Sequence, residues 1–445
     1  MYNCTLIEAL LTRRSRRFGH GMRLGDGPLA FASPRTPAPL TLDEEALLAF
    51  AAVGITGPAL GEMEYTSGTA AAGGGNVLAG FVGRTAASAD ALQSVGMVVI
   101  SDSGTWYIPR PQDLPDDAML PELVELGRRR QFTKWYERIR VPIDSARVTI
   151  PPVMPFTPAF NRWDSNKPGT TLFLPILETT GLFLNCLLTA LSEEMGIFII
   201  DDGIDDKGKP FGPAGLGKFA AEAGGHLRSD KKDIGFVVPL TIFEAILLQS
   251  VSAEMGGILQ NLGLMAQALG IGGFTHAAQH PIWLAQLGFV ETRPGFQEMM
   301  GVGPVQDPTL LESMGYQNGV PTFTSKDRLI RSFCPPDYPS MSAAVDAFVE
   351  LKYGRGGVFR GSDETAWKDP KTIRAGIQPY SANAIAATKA YCEYVFNRYK
   401  RFPTLSGPIS TLLAYQAHRP DPDFYDRFYR ADALPLSASP SSNVE

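Results

Sequence analysis

One apolar run near the middle of the chain limits its possible folds more than any other feature. From Phe236 to Phe274 the sequence reads FVVPLTIFEAILLQSVSAEMGGILQNLGLMAQALGIGGF. Apolar residues recur at three- and four-residue spacing, among them Leu259, Leu262, Met265 and Ala266. This spacing predicts a long helix that ends at Gly270 or Gly272. Because it is apolar nearly all round, other elements must surround it. We therefore expect the part from Gln249 to Gly270 to lie at the centre of the fold.

Length and charge exclude several classes of protein. The chain has 445 residues, a formal net charge of -6, 44% hydrophobic residues and 19% charged residues. These values are ordinary for a globular protein and exclude wholesale disorder. The acidic balance argues against a nucleic-acid-binding protein, because phosphate binding requires an excess of Lys and Arg. The length fits two to three domains or one elaborated domain.

The cysteines and the apolar tracts indicate a cytoplasmic protein with no membrane association. Cys4, Cys186, Cys334 and Cys392 are scattered singly, which favours a reducing compartment. The N-terminus places its apolar stretch before its basic cluster, the reverse of a secretory signal. The tract 171–200 is interrupted by polar residues and proline, so we expect it to be core.

Local patterns predict most of the remaining elements. The run TLDEEALLAFAAVGI has a capping-box form, with Glu44 three residues after Thr41, and predicts a helix that stops near Gly54. The run SVGMVVISDSGTWYI predicts a hairpin. We expect helices near 5–17, 121–140, 173–195, 342–352 and 383–399, a strand at GIFII, loops at 19–40 and 68–80, and a frayed tail at 431–445. These elements predict an α+β fold in which a mixed, mostly antiparallel sheet is wrapped by helices.

Three segments carry residues suited to a phosphorylated, planar ligand. The first is Arg13-Arg14-Ser15-Arg16-Arg17, which offers several cations and a hydroxyl to a phosphate. The second is the polar turn GRTAASADALQ at 83–93, before the hairpin. The third runs from Gln260 to Phe274, a helix ending in a glycine turn where the backbone can approach a flat ligand. The arginines also have a structural explanation, since cations suit a helix C-terminus.

Together these segments resemble the nitroreductase-like flavoprotein superfamily, in the texts RRSRRF, GRTAASADALQ and QNLGLMAQALGIGG and in the same order. The resemblance covers about a quarter of the chain. It implies FMN bound at a homodimer interface and two-electron chemistry by alternate reduction and reoxidation. It implies that Arg13, Arg14, Ser15 and Arg17 contact the phosphate and ribityl chain. Arg84, Ser88 and Gln93 would contact the cofactor, with the Ser88–Gln93 turn along its ring. Gly270, Gly272 and Gly273 would approach the ring from the other side.

The chain departs from the family's pattern in two respects. Asp90 or Ala91 stands where the family often has Asn, and a negative charge there would disfavour an anionic reduced flavin. A second basic phosphate contact has no clear match; Arg328, Arg331, Arg355 and Arg360 are candidates. On this resemblance residues 1–112 and 233–300 would form the core, 113–232 an insertion, and 301–430 a C-terminal extension. The additions suggest a bulky or peptide-like substrate, or a capped pocket.

Two other functional hypotheses stay open. The chain could be a non-catalytic binding or assembly protein on the same scaffold that has lost flavin. It could also be two fused family units, although no second RRS-like start follows residue 220.

Four weaker signals favour structural explanations. The acidic residues Asp201, Asp202, Asp205 and Asp206 lack EF-hand spacing, and we expect a solvated loop. His276 and His280 stand four apart without a HExxH glutamate, which favours core or capping roles. The segment from Ser229 to Lys232 fits a hydrolase pattern poorly. The aromatic run DPDFYDRFYR is interpreted as an interface helix rather than a ligand site.

Overall fold

The computed structural model describes residues 4–62, 77–116, 118–154, 156–228, 237–277, 287, 290–291, 323–324, 329–361 and 365–433. The helices are α1 Leu6–Thr12, α2 Leu42–Val53, α3 Met119–Arg128, α4 Phe132–Ile139, α5 Thr180–Ala190, α6 Leu240–Ala268, α7 Met341–Tyr353, α8 Pro370–Gly376, α9 Ala382–Tyr399 and α10 Pro422–Phe428. The strands are β1 Arg23–Leu24, β2 Phe31–Ala32, β3 Ile55–Pro58, β4 Val82–Arg84, β5 Val95–Ser101, β6 Gly104–Ile108, β7 Val141–Asp144, β8 Thr171–Glu178, β9 Phe198–Ile204, β10 Pro210–Pro213, β11 Val237–Pro239, β12 Gly272–Ala277, β13 Val290–Glu291, β14 Phe323–Thr324, β15 Ile409–Ser410 and β16 Leu413–His418.

The main sheet has seven strands in the order β12-β16-β8-β5-β6-β7, with β15 also paired to β8. Every pairing in it is antiparallel. A smaller sheet, β10-β9-β11, contains the parallel pair β9 and β11. The expected α+β fold with mostly antiparallel strands is confirmed.

The prediction of one buried helix over 173–195 is wrong for the first part of that tract. Residues Thr171–Glu178 form β8, and the helix α5 begins only at Thr180. All eight residues of β8 are buried. On one face Phe173 and Leu177 belong to the main core with α6, and on the other Leu172, Leu174 and Ile176 pack against residues outside the helices, among them Ile150 and Phe156. A strand buried on both faces has no alternation of polar and apolar residues, so its pattern is indistinguishable from that of a buried helix.

The predicted long helix is confirmed, and it is longer than expected at its N-terminal end. α6 has 29 residues, ends at Ala268, and is followed by Gly270 in a left-handed conformation with φ 69°. It packs against α1, α2, α5 and strands of both larger sheets. By length and composition alone α6 could also cross a membrane, and it is the single such helix among the described residues. One face of α6 is nonetheless open, since Ile242 and Ile246 are 52% and 55% exposed, so the expectation that other elements surround the helix is wrong on that side.

Several other expectations are confirmed and three need correction. The capping box at Thr41 and Glu44 starts α2, Gly54 caps its end, and β5 and β6 form the predicted hairpin. The helices at 342–352 and 383–399 are α7 and α9. The 121–140 helix is two helices, with Arg130 at φ 55° between them. The 19–40 loop contains the hairpin of β1 and β2. The helix near 5–17 ends at Thr12, so the arginines lie beyond it.

Strands from distant parts of the sequence meet in the main sheet. β8 comes from 113–232 and β16 from 301–430, and the two lie side by side. The division of the chain into core, insertion and extension stays a prediction. Residues 63–76 of the predicted glycine loop, and the tail from residue 434, lie outside the described residues.

Candidate functional site

The segment after α1 lies against the C-terminal part of α6 and the strand β12 that follows it. The Arg14 backbone N–H donates to Gln267 Oε1 over 3.3 Å, and Gln267 Nε2 donates to Thr12 Oγ1 over 3.2 Å. Arg16 forms a bridge with Gly273, and its Nη2 donates to the carbonyl of Ile271 over 3.2 Å. The structure therefore brings the arginine-rich opening and the glycine turn together.

Two cavities flank this junction, and Arg14 lines both. The first, about 240 Å³, is called the α6 cavity and is lined by Arg13, Arg14, Ser15, Gly256, Leu259, Gln260, Gly263, Gly273, Phe274, Thr275 and Tyr415. The second, about 350 Å³, is called the α10 cavity and is lined by Thr12, Arg14, Arg16, Gln267, Pro420, Pro422, Tyr425, Asp426, Tyr429 and Ala431. The α6 cavity combines positive charge with a wall of small residues.

Two of the four arginines remain available to an anion. Arg13 and Arg14 are exposed, and within the described residues neither forms an ion pair with a carboxylate. In the described part of the chain, the Arg14 guanidinium donates to two backbone carbonyls, those of Arg13 over 2.9 Å and Ala433 over 3.3 Å. A phosphate entering the α6 cavity would meet both cations and the Ser15 hydroxyl.

Arg17 is already held by a carboxylate. Its Nη2 lies 2.6 Å from Asp164 Oδ2 and 2.9 Å from Asn161 Oδ1. Its guanidinium stands 4.5 Å from the ring centre of Phe274 and 5.3 Å from that of Trp163. Burial raises the pKa of Asp164 to about 6, although Arg17 opposes the shift. Arg17 therefore does not line either cavity, and its predicted phosphate contact would require the Asp164 pair to break.

The glycines of the turn allow close packing within the chain. A Cβ on Gly272 would lie 2.9 Å from the Arg16 carbonyl oxygen, and one on Gly273 would lie 2.4 Å from the Tyr415 hydroxyl. Gly270 is a helix cap rather than a cavity residue. Of the three predicted glycines, Gly273 alone lines the α6 cavity. Gly256 and Gly263, which the site prediction did not name, add to its side-chain-free wall.

The serine turn lies elsewhere on α6. Arg84 donates to the carbonyls of Val53 over 3.0 Å and Val95 over 2.7 Å, and burial lowers its pKa to about 10. Ser88 Oγ accepts from the Gln93 N–H over 2.8 Å, and Gln93 Nε2 donates to the carbonyl of Val82 over 2.7 Å. None of Arg84, Ser88 and Gln93 lines either cavity. The structure does not bring this predicted ring-lining turn into the α6 cavity.

Several lining residues had a signal in the sequence that the site prediction did not use. Gln260 belongs to the QNL text of the resemblance, and Tyr425 and Tyr429 belong to the aromatic run near the C-terminus. The interface interpretation of that run is wrong for Phe424, which stacks on Phe18 at 4.2 Å inside the chain. Tyr415 lies on β16, about 155 residues from Gln260, and its approach could not be predicted without the sheet register.

The weaker signals have structural roles where they are described. Asp201 is buried and accepts hydrogen bonds from Tyr394 over 2.9 Å and Tyr399 over 2.7 Å, so it does not belong to a solvated loop. Among the described residues no cluster of possible metal ligands is present. His276 lies on the strand β12, and burial lowers its pKa to about 4. His280 and the segment from Ser229 to Lys232 lie outside the described residues.

The candidates for a second phosphate contact do not reach the cavities. Arg360 donates to the backbone carbonyls of Phe359, Arg374 and Ile377. Arg331 and Arg355 are absent from both linings, and Arg328 lies outside the described residues.

Comparison with known proteins leaves the family open. No family model matches the chain, and no curated protein matches it. A crystal structure of a candidate nitroreductase from Ralstonia eutropha JMP134 can be aligned over 70% of this chain and 76% of that chain, with 11% identity and a TM-score of 0.26. A similarity of that size supports no argument about fold or function, so the site must be judged by its own geometry.

Proposed function

We propose that the chain is an FMN-dependent oxidoreductase whose cofactor binds in the α6 cavity. One observation carries the proposal: Arg13, Arg14 and Ser15 meet a glycine-lined wall of α6 and β12 in the same cavity. Unpaired arginines suit a phosphate, and glycines between larger lining residues such as Leu259 and Phe274 let a flat ring approach the backbone. Gln260 and Tyr415 add polar groups that can orient a ring system.

The hydrogen-bond donors that line the cavity fit FMN, and the protein and the cofactor would have separate roles. FMN, when bound, supplies two-electron redox chemistry. The chain would hold the phosphate through Arg13, Arg14 and Ser15 and would place the ring along Gly256, Gly263 and Gly273. The 240 Å³ of the α6 cavity is below the usual size of a cofactor site, so additional walls are required.

A second copy of the chain would supply those walls, as a homodimer. The helix α1, which leads into Arg13, turns its apolar side chains outward: Leu6, Ile7, Leu10 and Leu11 are 48–72% exposed. Ala9 is its one buried residue. An apolar stripe of this kind beside a cavity is typical of a surface that another protein covers.

The first experiment is an absorption spectrum of the purified protein, followed by titration with FMN, NADH and NADPH. A flavin spectrum and reduction by either nucleotide would support the enzyme. We expect bulky or peptide-like acceptors to be reduced best. A colourless protein that does not bind added FMN would reject the proposal and favour the non-catalytic binding protein. One observation favours that second function. Ser88 and Gln93 form hydrogen bonds within the chain and do not line the cavity, so the predicted contacts to the flavin ring are missing.

The site assignment is tested by the double variant Arg13→Ala/Arg14→Ala. We expect FMN binding to weaken by roughly 2–4 kcal/mol, since two charge-assisted contacts are lost. The matched control is Arg128→Ala/Arg129→Ala, which removes two adjacent exposed arginines at the end of α3. The control should bind FMN as the parent does. Equal affinity of the two double variants would show that the phosphate lies elsewhere.

A further inference from the structure

A buried polar cluster joins α5, α7 and the serine turn, outside both cavities. Lys352 on α7 has no exposed surface, and its Nζ donates to Asn185 Oδ1 over 2.7 Å and to the Tyr380 hydroxyl over 2.6 Å. Tyr380 also donates to Asn185 Oδ1, over 3.1 Å. The carbonyl oxygen of the Asn185 side chain therefore accepts hydrogen bonds from both an amine and a phenol.

A carboxyl group faces the other end of the same amide. Asn185 Nδ2 donates to Asp90 Oδ2 over 2.9 Å and to the carbonyl of Val77 over 2.5 Å. These bonds fix which end of the amide is nitrogen and which is oxygen. Asp90 sits in the left-handed conformation, with φ 54°, which is unusual for a residue other than glycine. The Asn185 amide is thus hydrogen-bonded to the Lys352 amine at its oxygen and to the Asp90 carboxyl group at its nitrogen.

The surroundings favour the uncharged forms of both groups. The rings of Phe348, Tyr353 and Phe359 lie within 6.0 Å of Lys352 Nζ. Burial lowers the pKa of Lys352 to about 7, and Asp90 and Cys186 are the acidic groups that oppose the shift. Burial also raises the pKa of Asp90. A neutral amine is a nucleophile and a protonated carboxyl is an acid, so both shifts are in the direction that amide chemistry needs.

We propose that Lys352 and Asn185 form an intramolecular isopeptide bond, with Asp90 as the proton-transfer group. The Nζ lone pair attacks Asn185 Cγ and forms the new C–N bond. Asp90 gives its proton to the departing amide nitrogen, the old C–N bond breaks, and ammonia leaves. The Asp90 carboxylate then recovers a proton from the former lysine nitrogen. Amine plus primary amide become secondary amide plus ammonia, with no oxidant or reductant required.

The distances are compatible with this reaction. A carbonyl bond is about 1.2 Å long, so Nζ, at 2.7 Å from Oδ1, can be no more than about 4 Å from Cγ. A rotation that turns the face of the Asn185 amide toward Nζ would bring the two atoms to attack distance, near 3–3.5 Å. Negative charge would develop on Oδ1 in the transition state, where the Tyr380 hydroxyl already donates a hydrogen bond.

The product would tie α5 to α7 across 167 positions of sequence. That closed loop contains β9, α6 and β12, and hence much of the α6 cavity wall. The bond would restrict the unfolded chain in the way a disulfide does, without depending on the redox state of the compartment. The inference is independent of the flavin proposal, since the cluster and the cavities share no lining residue.

The test is intact mass spectrometry of the purified full chain. We expect a mass below the sequence value by one ammonia, about 17 Da, because the lysine displaces that group. Trypsin should fail to cleave after Lys352, and a branched peptide should join the segments that contain Lys352 and Asn185. A folded protein with the full sequence mass would overturn the proposal. So would a mass loss that maps to another part of the chain.

Two variants and a control identify the reacting groups. Lys352→Met should abolish the mass loss, whereas Lys389→Met, on the neighbouring helix α9, should keep it. Asp90→Asn keeps the size of the side chain but removes its exchangeable acid proton. We expect this variant to crosslink at least ten times more slowly, since general acid–base help typically contributes about 100-fold or more. Crosslinking of Asp90→Asn at the parent rate would exclude Asp90 from the reaction.

Discussion

At the scale of single residues, the Asp164 side chain makes stability depend on pH. Its pKa is raised to about 6 by burial, above the ordinary value of 3.8. A carboxyl with a raised pKa in the fold contributes stability that is complete below about pH 4 and is lost as the pH rises through about 6. Replacing Asp164 with Asn should remove this loss, so the difference in unfolding free energy between pH 4 and pH 7 should change by roughly 1–3 kcal/mol.

Urea denaturation of the parent and the variant at both pH values measures this change. The matched control is Asp423→Asn, whose aspartate pairs with Arg35 at 3.0 Å on the surface. Exposed pairs of this kind contribute little, so we expect an effect within about 1 kcal/mol. An Asp164→Asn variant with the same pH dependence as the parent would contradict the assigned pKa shift.

The arginine cluster shows what a sequence can and cannot predict about single residues. The group Arg13, Arg14 and Ser15 was found because adjacent cations are visible in the sequence. The different environment of Arg17 was not predictable, because its partner Asp164 lies 147 positions away. Lys352 did have a local signal. It follows Val345 and Phe348 at seven- and four-residue spacing, which puts it on the apolar face of α7.

At the scale of elements, α6 is held in place by buried carboxylates as well as by apolar packing. Glu254 Oε1 and Oε2 accept the N–H groups of Val95 and Ser94, each over 3.1 Å. Glu244 accepts the N–H groups of Thr404 and Leu405 in the same way. Both carboxylates satisfy backbone donors that begin or connect other elements, and a buried donor left unpaired is costly.

Glu254→Gln tests this attachment. The amide offers one oxygen, so its NH₂ group would face a backbone N–H that the carboxylate accepts. We expect a loss of roughly 2–3 kcal/mol in unfolding free energy, measured by urea denaturation. Glu125→Gln, at the exposed end of the Arg129 pair, is the control and should lie within about 0.5 kcal/mol of the parent. A Glu254→Gln variant as stable as the parent would show that the second backbone bond contributes little.

Elements with a strong local signal were predicted correctly, and those defined by long-range burial were not. The capping box at Thr41 and the periodicity of α6 depend on neighbours within four residues, so the sequence displays them directly. The strand β8 pairs with β5 and β16, which are distant in sequence, and is covered by residues such as Phe156, which come near it only in the fold. Its apolar run is equally compatible with a helix until those partners are known.

At the scale of the whole molecule, the α+β class could be predicted, whereas the position of the serine turn could not. The fold class follows from the mixture of helix-type and strand-type patterns along the sequence. The relative position of the two segments depends on which face of α6 each one contacts. The serine turn lies on the face of Glu254 and Asn261, where Asn261 Nδ2 donates to the carbonyl of Thr85 over 3.0 Å. The opening segment lies on the opposite face, where Gly256, Gln260 and Gly263 line the α6 cavity.

The proposed homodimer gives the last prediction. The apolar side chains of α1 point away from its own chain, so changing them should affect association without affecting folding. In the variant Leu10→Asp/Leu11→Asp, charges would replace side chains that are 48% and 72% exposed. We expect the protein to change from a dimer to a folded monomer, because burying unpaired carboxylates at an apolar interface is unfavourable.

Light scattering coupled to gel filtration reports the mass in solution, and circular dichroism reports the fold. Leu60→Asp changes an equally exposed leucine, 68% accessible, outside the α1 surface and should leave the dimer intact. A parent protein with the mass of one chain would contradict the homodimer, and a double variant that stays dimeric would place the interface elsewhere. If monomerisation also weakens FMN binding, while Arg13 and Arg14 are unchanged, the second subunit supplies part of the α6 cavity wall.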